Sequence, residues 1–344
     1  MRSRFGNRRY WVYAIRPEGK PIADTKAKRH RLRKVLLTIV LLLAVAAGFV
    51  YVRPELATTA IERASMRAAG IHSEYTQLGP YRIHYLVAGE GRPLVLVHGL
   101  GGRAEEWAPL MNGLAKQHFR VYALDLLGYG RSDKPDVDYT IECEVRIVQQ
   151  FLDRQKLEQP DIGGWSMGGW IALQLAVEHP GRVRRLMVFD SAGVKFQPQV
   201  DLALLRPRSP AELAGLTAIL YAHPQPIPEF LARGILRQVN QVDWVVGRAL
   251  DSMVAGKELL DGKLGPVTVP VLIVWGKQDV LTPLSVGQTM QREMPQSRLE
   301  LFDDCAHMTP LECSGRVVPE VARFLDADPP EPAGTQEIPA PRER

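Results

Sequence analysis

Cysteine is scarce, with three in 344 residues, too few to staple a small loop-rich scaffold. The histidines lack HxxxH spacing and the cysteines are scattered, so the sequence offers no metal set and calls for no cofactor. Glycine and proline, at 29 and 26, stay near ordinary usage without a G-X-Y period, which excludes a collagen-like fibre. Acidic residues are short in one place only: the first 34 residues hold 12 Lys or Arg against Glu18 and Asp24. The formal charge of +5 therefore hides an excess of five negative charges on residues 35–344. A basic segment on an acidic body argues against a nucleic-acid partner. With 46% hydrophobic and 24% charged residues, wholesale disorder is excluded as well.

What the chain does have is one long apolar run. Residues 35–52 read VLLTIVLLLAVAAGFVYV, 18 residues without a charge, directly after Arg29, Arg31, Arg33 and Lys34. At ~1.5 Å per residue such a helix covers about 27 Å, close to the roughly 30 Å hydrocarbon core of a bilayer. Basic flanks stay on the cytoplasmic side. The run predicts a single-pass signal anchor with residues 1–34 in the cytoplasm and the body outside it, in the periplasm if the source is bacterial. A cleaved signal peptide is the competing reading, because Ala44-Val45-Ala46 resembles a cleavage site.

Residues 53–70 read as a helical stalk. Beyond them short β-rich runs alternate with helical stretches: YRIHYLV from Tyr81, PLVLV from Pro93, RVYAL from Arg120, RLMVF from Arg185, VPVLIVW from Val269 and LELF from Leu299. Most are too apolar to have a wet face, which predicts a mostly parallel sheet covered by helices on both sides, an α/β architecture. Residues 196–263 break the alternation with six prolines and short apolar helices, and read as a helical cap over the sheet edge. The core is then 71–195 with 264–326. The tail, 327–344, carries five prolines and almost no apolar bulk, and is expected to be disordered.

Gly164-Trp165-Ser166-Met167-Gly168 fits the G-x-S-x-G nucleophile elbow, in which the chain reverses tightly and exposes a hydroxyl at a helix N-terminus. The strand expected before it is weak by sequence, with Ile162 its one β-branched residue. His98-Gly99-Leu100-Gly101-Gly102 follows the PLVLV run and can aim the Leu100 N–H where the Met167 N–H also points, forming an oxyanion hole. A serine hydroxyl needs a base. Of eight histidines, His307 alone falls in a loop between the last predicted strand and the last helix. Asp279, after the penultimate strand, completes the chain order Ser, Asp, His. Asp190 is the fallback carboxylate, and Asp125 reads as the organiser of a surface loop with Arg131.

These motifs resemble the α/β-hydrolase superfamily over nearly all of residues 75–325. DLLGYGRSDKP, GGWSMGG, FDSAG, VWGKQD and YAHPQPIPEF are similar to membrane-associated lipases of the monoacylglycerol lipase type and related bacterial lipases. The resemblance implies an eight-stranded, mostly parallel sheet with a helical cap, and a serine esterase that passes through an acyl-enzyme on Ser166. Its substrate would be a membrane lipid or other acyl ester. Ser166 in place of an aspartate counts against a dehalogenase or epoxide hydrolase. A small-ester carboxylesterase or C–C bond hydrolase with the same triad is the alternative, and a non-catalytic membrane-tethered binding protein the third reading. Cys305 and Cys313 flank His307 and would face an oxidising compartment, where a disulfide between them is the alternative; free thiols are the default expectation. The oligomeric state is not legible.

Overall fold

The computed structural model describes residues 23–341, so the first 22 residues of the basic segment and the last three of the tail lie outside the described residues. The chain divides into two units, 1–52 and 53–344. In the first, a single helix, α1 (Ala23–Val52), contains the apolar run. From Lys28 to Val52 it is long and apolar enough to cross a membrane, with mean hydropathy 2.8.

The second unit opens with α2 (Pro54–Ala68), started by a proline whose missing N–H costs nothing in the first turn. Nine strands follow: β1 (His72–Leu78), β2 (Tyr81–Ala88), β3 (Arg92–Val97), β4 (Phe119–Leu124), β5 (Asp161–Trp165), β6 (Leu186–Phe189), β7 (Val271–Gly276), β8 (Arg298–Phe302) and β9 (Gly334–Ile338). They form one sheet in the order β1-β2-β4-β3-β5-β6-β7-β8-β9. The β1–β2 and β2–β4 pairs are antiparallel, and the rest are parallel.

The helices around it are α3 (Ala108–Ala115), α4 (Ile141–Arg154), α5 (Met167–Glu178), α6 (Pro210–Leu220), α7 (Glu229–Val239), α8 (Asp243–Ala255), α9 (Leu284–Glu293), α10 (Thr309–Glu312) and α11 (Ser314–Asp326). Alternate strand residues feed opposite cores. Val95 and Val97 of β3 and Ile273 and Trp275 of β7 pack with α4, α5 and α9. Leu94, Leu96, Leu272 and Val274 pack with α3 and α11 on the other face. This double burial is the reason the strands read as unbroken apolar runs.

Two expectations are corrected here. The sheet has nine strands rather than eight, because the tail expected to be disordered carries β9 along the edge strand β8. Its polar composition is tolerated at an edge, where β8 supplies the ladder, Ile338 alone is buried, and Glu337 pairs with Lys277 at 3.1 Å. Cys305 and Cys313 are joined in a disulfide rather than free, their Cα atoms 6.3 Å apart across the loop that carries His307.

The segment expected as a helical stalk is a helix that also packs on the body. Helix α2 packs on the cap helix α7, where Gly234 lets Pro54 approach so closely that a Cβ would lie 2.8 Å from the proline Cγ. The buried Glu55 accepts hydrogen bonds from Arg237 at 2.7 Å and Arg53 at 2.6 Å, and the Arg237 guanidinium, ahead of the cost of burial, holds its carboxyl down to about 2. Farther along α2, Glu62 accepts from Arg103 at 3.0 and 3.1 Å through its two oxygens.

Candidate active site

Ser166 sits between β5 and α5 with φ +55° and ψ −118°, the left-handed region that a non-glycine residue enters only under local compulsion. The compulsion is visible on either side. A Cβ on Gly164 would lie 2.1 Å from the Gly168 carbonyl oxygen, and one on Gly168 would lie 2.1 Å from that of Val97. The same glycines explain the weakness of β5 in the sequence: Gly163 and Gly164 fill two of its five positions, and a Cβ on Gly163 would strike Leu96 at 2.7 Å. Helix α5 begins at Met167, so its first N–H groups have no intrahelical partner and face the Ser166 side.

The glycine loop lies against this turn. A Cβ on Gly99 would come within 3.1 Å of the Ser166 Cβ and 3.7 Å of its Oγ. His98 shapes the loop rather than serving as a base. Its Nε2 accepts the Leu126 N–H at 3.1 Å, so Nδ1 carries the proton and donates to the Gly99 carbonyl at 2.7 Å. Complete burial pushes its pKa down and keeps the ring neutral.

His307 and Asp279 meet as the chain order predicts. The His307 Nδ1 is 2.9 Å from Asp279 Oδ2, and both side chains are buried. Asp279 is itself held: its Oδ1 accepts from the Leu281 and Thr282 N–H groups at 2.8 and 2.9 Å, and its Oδ2 from the Thr282 hydroxyl at 2.6 Å. The Trp165 indole donates to the His307 carbonyl at 2.7 Å, tying the residue before Ser166 to the histidine loop. Asp190, the fallback, does not bond His307. It accepts from the Gly276 N–H at 2.8 Å and the Thr309 N–H at 3.3 Å, bracing the ends of the two loops instead. Burial, aided by the nearby Asp279, raises its carboxyl well above the usual range.

Ser166, His307, Leu100 and Gly99 line a cavity of about 650 Å³ roofed by the cap. Its walls are chiefly apolar, with Leu202, Leu205, Val242, Val246, Leu250 and Met253 among them. A hydroxyl on a helix N-terminus, an imidazole held by a carboxylate and an apolar chamber are together the requirements of acyl transfer from a hydrophobic substrate.

Two features were not foreseen. Asp125 is fully buried rather than at the surface, and takes the His84 Nδ1 at 2.6 Å as well as the N–H groups of Ala104 and Arg131. The far ring nitrogen of His84 lies 2.9 Å from Ser73 Oγ, so a second serine, histidine and aspartate line up in hydrogen-bonding order. None of the three touches the cavity. The other is Glu106, which contributes a carboxylate to the cavity wall. Nothing in its helical sequence context singles it out.

A model of the alpha/beta hydrolase family matches residues 94–320. The 2-hydroxymuconate semialdehyde hydrolase of Pseudomonas sp. (strain CF600) is 32% identical over 252 residues, which cover 69% of this chain and 88% of that protein. The pimeloyl-[acyl-carrier protein] methyl ester esterase of Vibrio atlanticus (strain LGP32) is 29% identical, over 65% of this chain and 91% of its own. A bacterial membrane phospholipase A of known structure superposes with a TM-score of 0.75 at 26% identity, over 86% of this chain and 98% of that one. Fold and relatives agree, and the chain belongs to the alpha/beta hydrolase family as one of its hydrolases.

Proposed function

We propose that the protein is a serine esterase of the lipase type, cleaving acyl esters through an acyl-enzyme on Ser166. The observation that carries this reading is His307, held by Asp279 and lining the same apolar cavity as Ser166. Ser166 attacks the ester carbonyl as His307 takes its proton, and Asp279 steadies the imidazolium. The N–H groups of Leu100 and Met167 hold the oxyanion. His307 then gives its proton to the departing alcohol and later activates the water that releases the acid.

The substrate half that enters the cavity is an acyl chain, since the lining suits methylenes better than ions. An acid-bearing substrate such as the muconate in the name of the Pseudomonas relative would need cationic partners, and Lys195 is the lone Lys or Arg among the described lining residues. That observation ranks C–C bond hydrolysis second. The helix α1 serves as a membrane anchor, with its basic flank in the cytoplasm. The Cys305–Cys313 disulfide supports a catalytic body in an oxidising compartment outside it. Tethering there gives access to membrane acyl esters.

A fluorophosphonate probe on the full chain, followed by p-nitrophenyl esters of increasing acyl length, tests the reading. Stoichiometric labelling that disappears in Ser166→Ala, with turnover extending to long acyl chains, is the expected result. No labelling would defeat the serine mechanism, and activity confined to acyl groups of a few carbons would defeat the lipase assignment.

A further inference from the structure

The two residues on either side of His307 send their backbone N–H groups toward the cap. The Met308 N–H donates to the carbonyl of Leu220, the last residue of the cap helix α6, at 3.1 Å. The Ala306 N–H donates to Glu312 Oε2 at 3.0 Å. The cap shares that carboxylate: Oε2 also accepts the Ala222 N–H at 3.1 Å, and Oε1 accepts the His223 N–H at 3.0 Å. Ala222 and His223 lie in the connector between α6 and α7. Among the described residues, every hydrogen-bond partner of Glu312 is a backbone N–H. The neighbouring Arg316 turns instead to Asp304 and to the sulfurs of Cys305 and Cys313.

Backbone N–H groups removed from water must be paired, so these bonds fix the path of the chain on both sides of the imidazole. The Cys305–Cys313 disulfide closes the same stretch into a ring, and Glu312 braces the ring from within through Ala306. From the core side the ring is held by the Trp165 indole on the His307 carbonyl and by Asp279 on its Nδ1. From the roof side the holders are Leu220 and the connector, the latter by way of Glu312. Leu216 and Leu220 of α6 line the chamber together with Met308, so the element that roofs the substrate space is the one to which the histidine loop is pinned. Leu220 and Tyr221 pack on the same apolar cluster as Cys305, Met308 and Cys313. Burial pushes the Tyr221 phenol up to about 12, with Glu106 and Glu312 adding to the rise, which places the carboxylate's field at this seam.

We propose that Glu312 is a positioning residue for His307, pinning the histidine loop to the cap so that the roof of the chamber takes part in placing the base. This rests on the reading of His307 as the base and adds to it a residue outside the triad. Glu312 touches no reacting atom. Its effect passes through the backbone of Ala306 to the imidazole, and through Ala222 and His223 from the cap. A misplacement of reacting groups by about 1 Å costs on the order of 10²-fold in rate. Slack in the ring is therefore read as lost kcat, while binding of the acyl chain, left to the apolar walls, holds KM nearly constant.

The experiment measures kcat and KM of the full chain on p-nitrophenyl octanoate for Glu312→Leu, Glu312→Gln and Ala222→Pro. Leu has similar bulk and no acceptor; Gln keeps one oxygen for the Ala306 and Ala222 N–H groups. Ala222→Pro deletes the cap's donor, and Tyr221 before it already has ψ 141°, the extended backbone that a residue preceding proline adopts. Glu312→Leu should lower kcat on the order of tenfold or more with KM within about threefold, and Glu312→Gln should stay within about threefold in both. Ala222→Pro should lower kcat several-fold, and the double variant with Glu312→Leu should be no slower than Glu312→Leu alone, because the two remove one bond. In a His307→Ala background Glu312→Leu should cost nothing further, which a merely structural role would not produce. An unchanged kcat in Glu312→Leu, or an equal loss with and without the imidazole, would overturn the proposal. An unchanged kcat in Ala222→Pro would remove the cap from it, and decides the matter if Glu312→Leu does not fold. Full activity in His307→Ala would instead defeat the base assignment itself.

Discussion

The molecule assembles serine, histidine and aspartate twice, and the two sets differ in an instructive way. By hydrogen bonds alone the set outside the cavity is the more complete: Ser73, His84 and Asp125 are linked at 2.9 and 2.6 Å. Yet Ser73 is the second residue of a regular strand, exposed, with its Oγ also taken by the Arg131 guanidinium at 2.9 Å. The set ties β1 to β2 and to the loop after β4 through the buried His84 and Asp125. Ser166 has the strained turn, the glycine loop against its Cβ and a chamber to receive substrate. On the function proposed above, what separates the reactive serine from the structural one is the backbone and the void around it, more than the three side chains.

The sharpest way to break this comparison is to remove each serine. Ser166→Ala and His307→Ala should lower kcat by on the order of 10³-fold or more, whereas Ser73→Ala should change it less than about twofold; fluorophosphonate labelling that survived Ser166→Ala and vanished in Ser73→Ala would reverse the assignment. The aspartates come next. Asp279→Asn should cost on the order of 10²-fold or more in kcat with a small change in melting temperature. Asp125→Asn should do the converse, removing about 3 kcal/mol of stability because it takes an acceptor oxygen from the buried hydrogen bonds that Asp125 accepts, as thermal unfolding of the two variants will show.

A smaller effect separates the loops. The Cys305–Cys313 bond closes the segment around His307, and nothing similar holds His84. Reduction, or Cys313→Ser, should lower kcat several-fold while leaving the Ser73 brace intact, read by activity alongside protection of β1 and β2 amides in hydrogen exchange. The smallest effect is in the acid range. Burial works to raise the Asp125 carboxyl, yet its bonds to His84 and to the Ala104 and Arg131 N–H groups leave it below the usual value. A depressed carboxyl stabilises the fold above its unfolded pKa of about 3.9, and the contribution is lost as pH falls through the native value. Melting temperature should therefore fall less steeply below about pH 4 in Asp125→Asn than in the wild type.

Much of the site could be read before any coordinates because its chemistry is written in short local patterns. Gly164 and Gly168 are forced by backbone contact at 2.1 Å, and so the pentapeptide around Ser166 stands out in the sequence. Most sheet strands are equally plain, since burial on both faces leaves unbroken apolar runs. The failures have physical causes. The glycines that permit the turn erase the β-signal of β5. Strand β9 owes its order to the edge of β8, a partner distant in sequence, and its own residues have the composition of a loop. Glu106 and the His84–Asp125 pair depend on which side chains meet across the fold, and no local spacing encodes that.

The two ion pairs of α2 carry a practical consequence. One joins it to the cap through Arg237, the other to the glycine loop through Arg103. The folded body accordingly begins at Pro54. A soluble form cut after residue 52 keeps both carboxylates in place, while one cut after residue 70 strips them away and frees the loop that presents Leu100. The connecting helix is in this sense a tie-rod: a pull arriving along the chain reaches the glycine loop and the cap together.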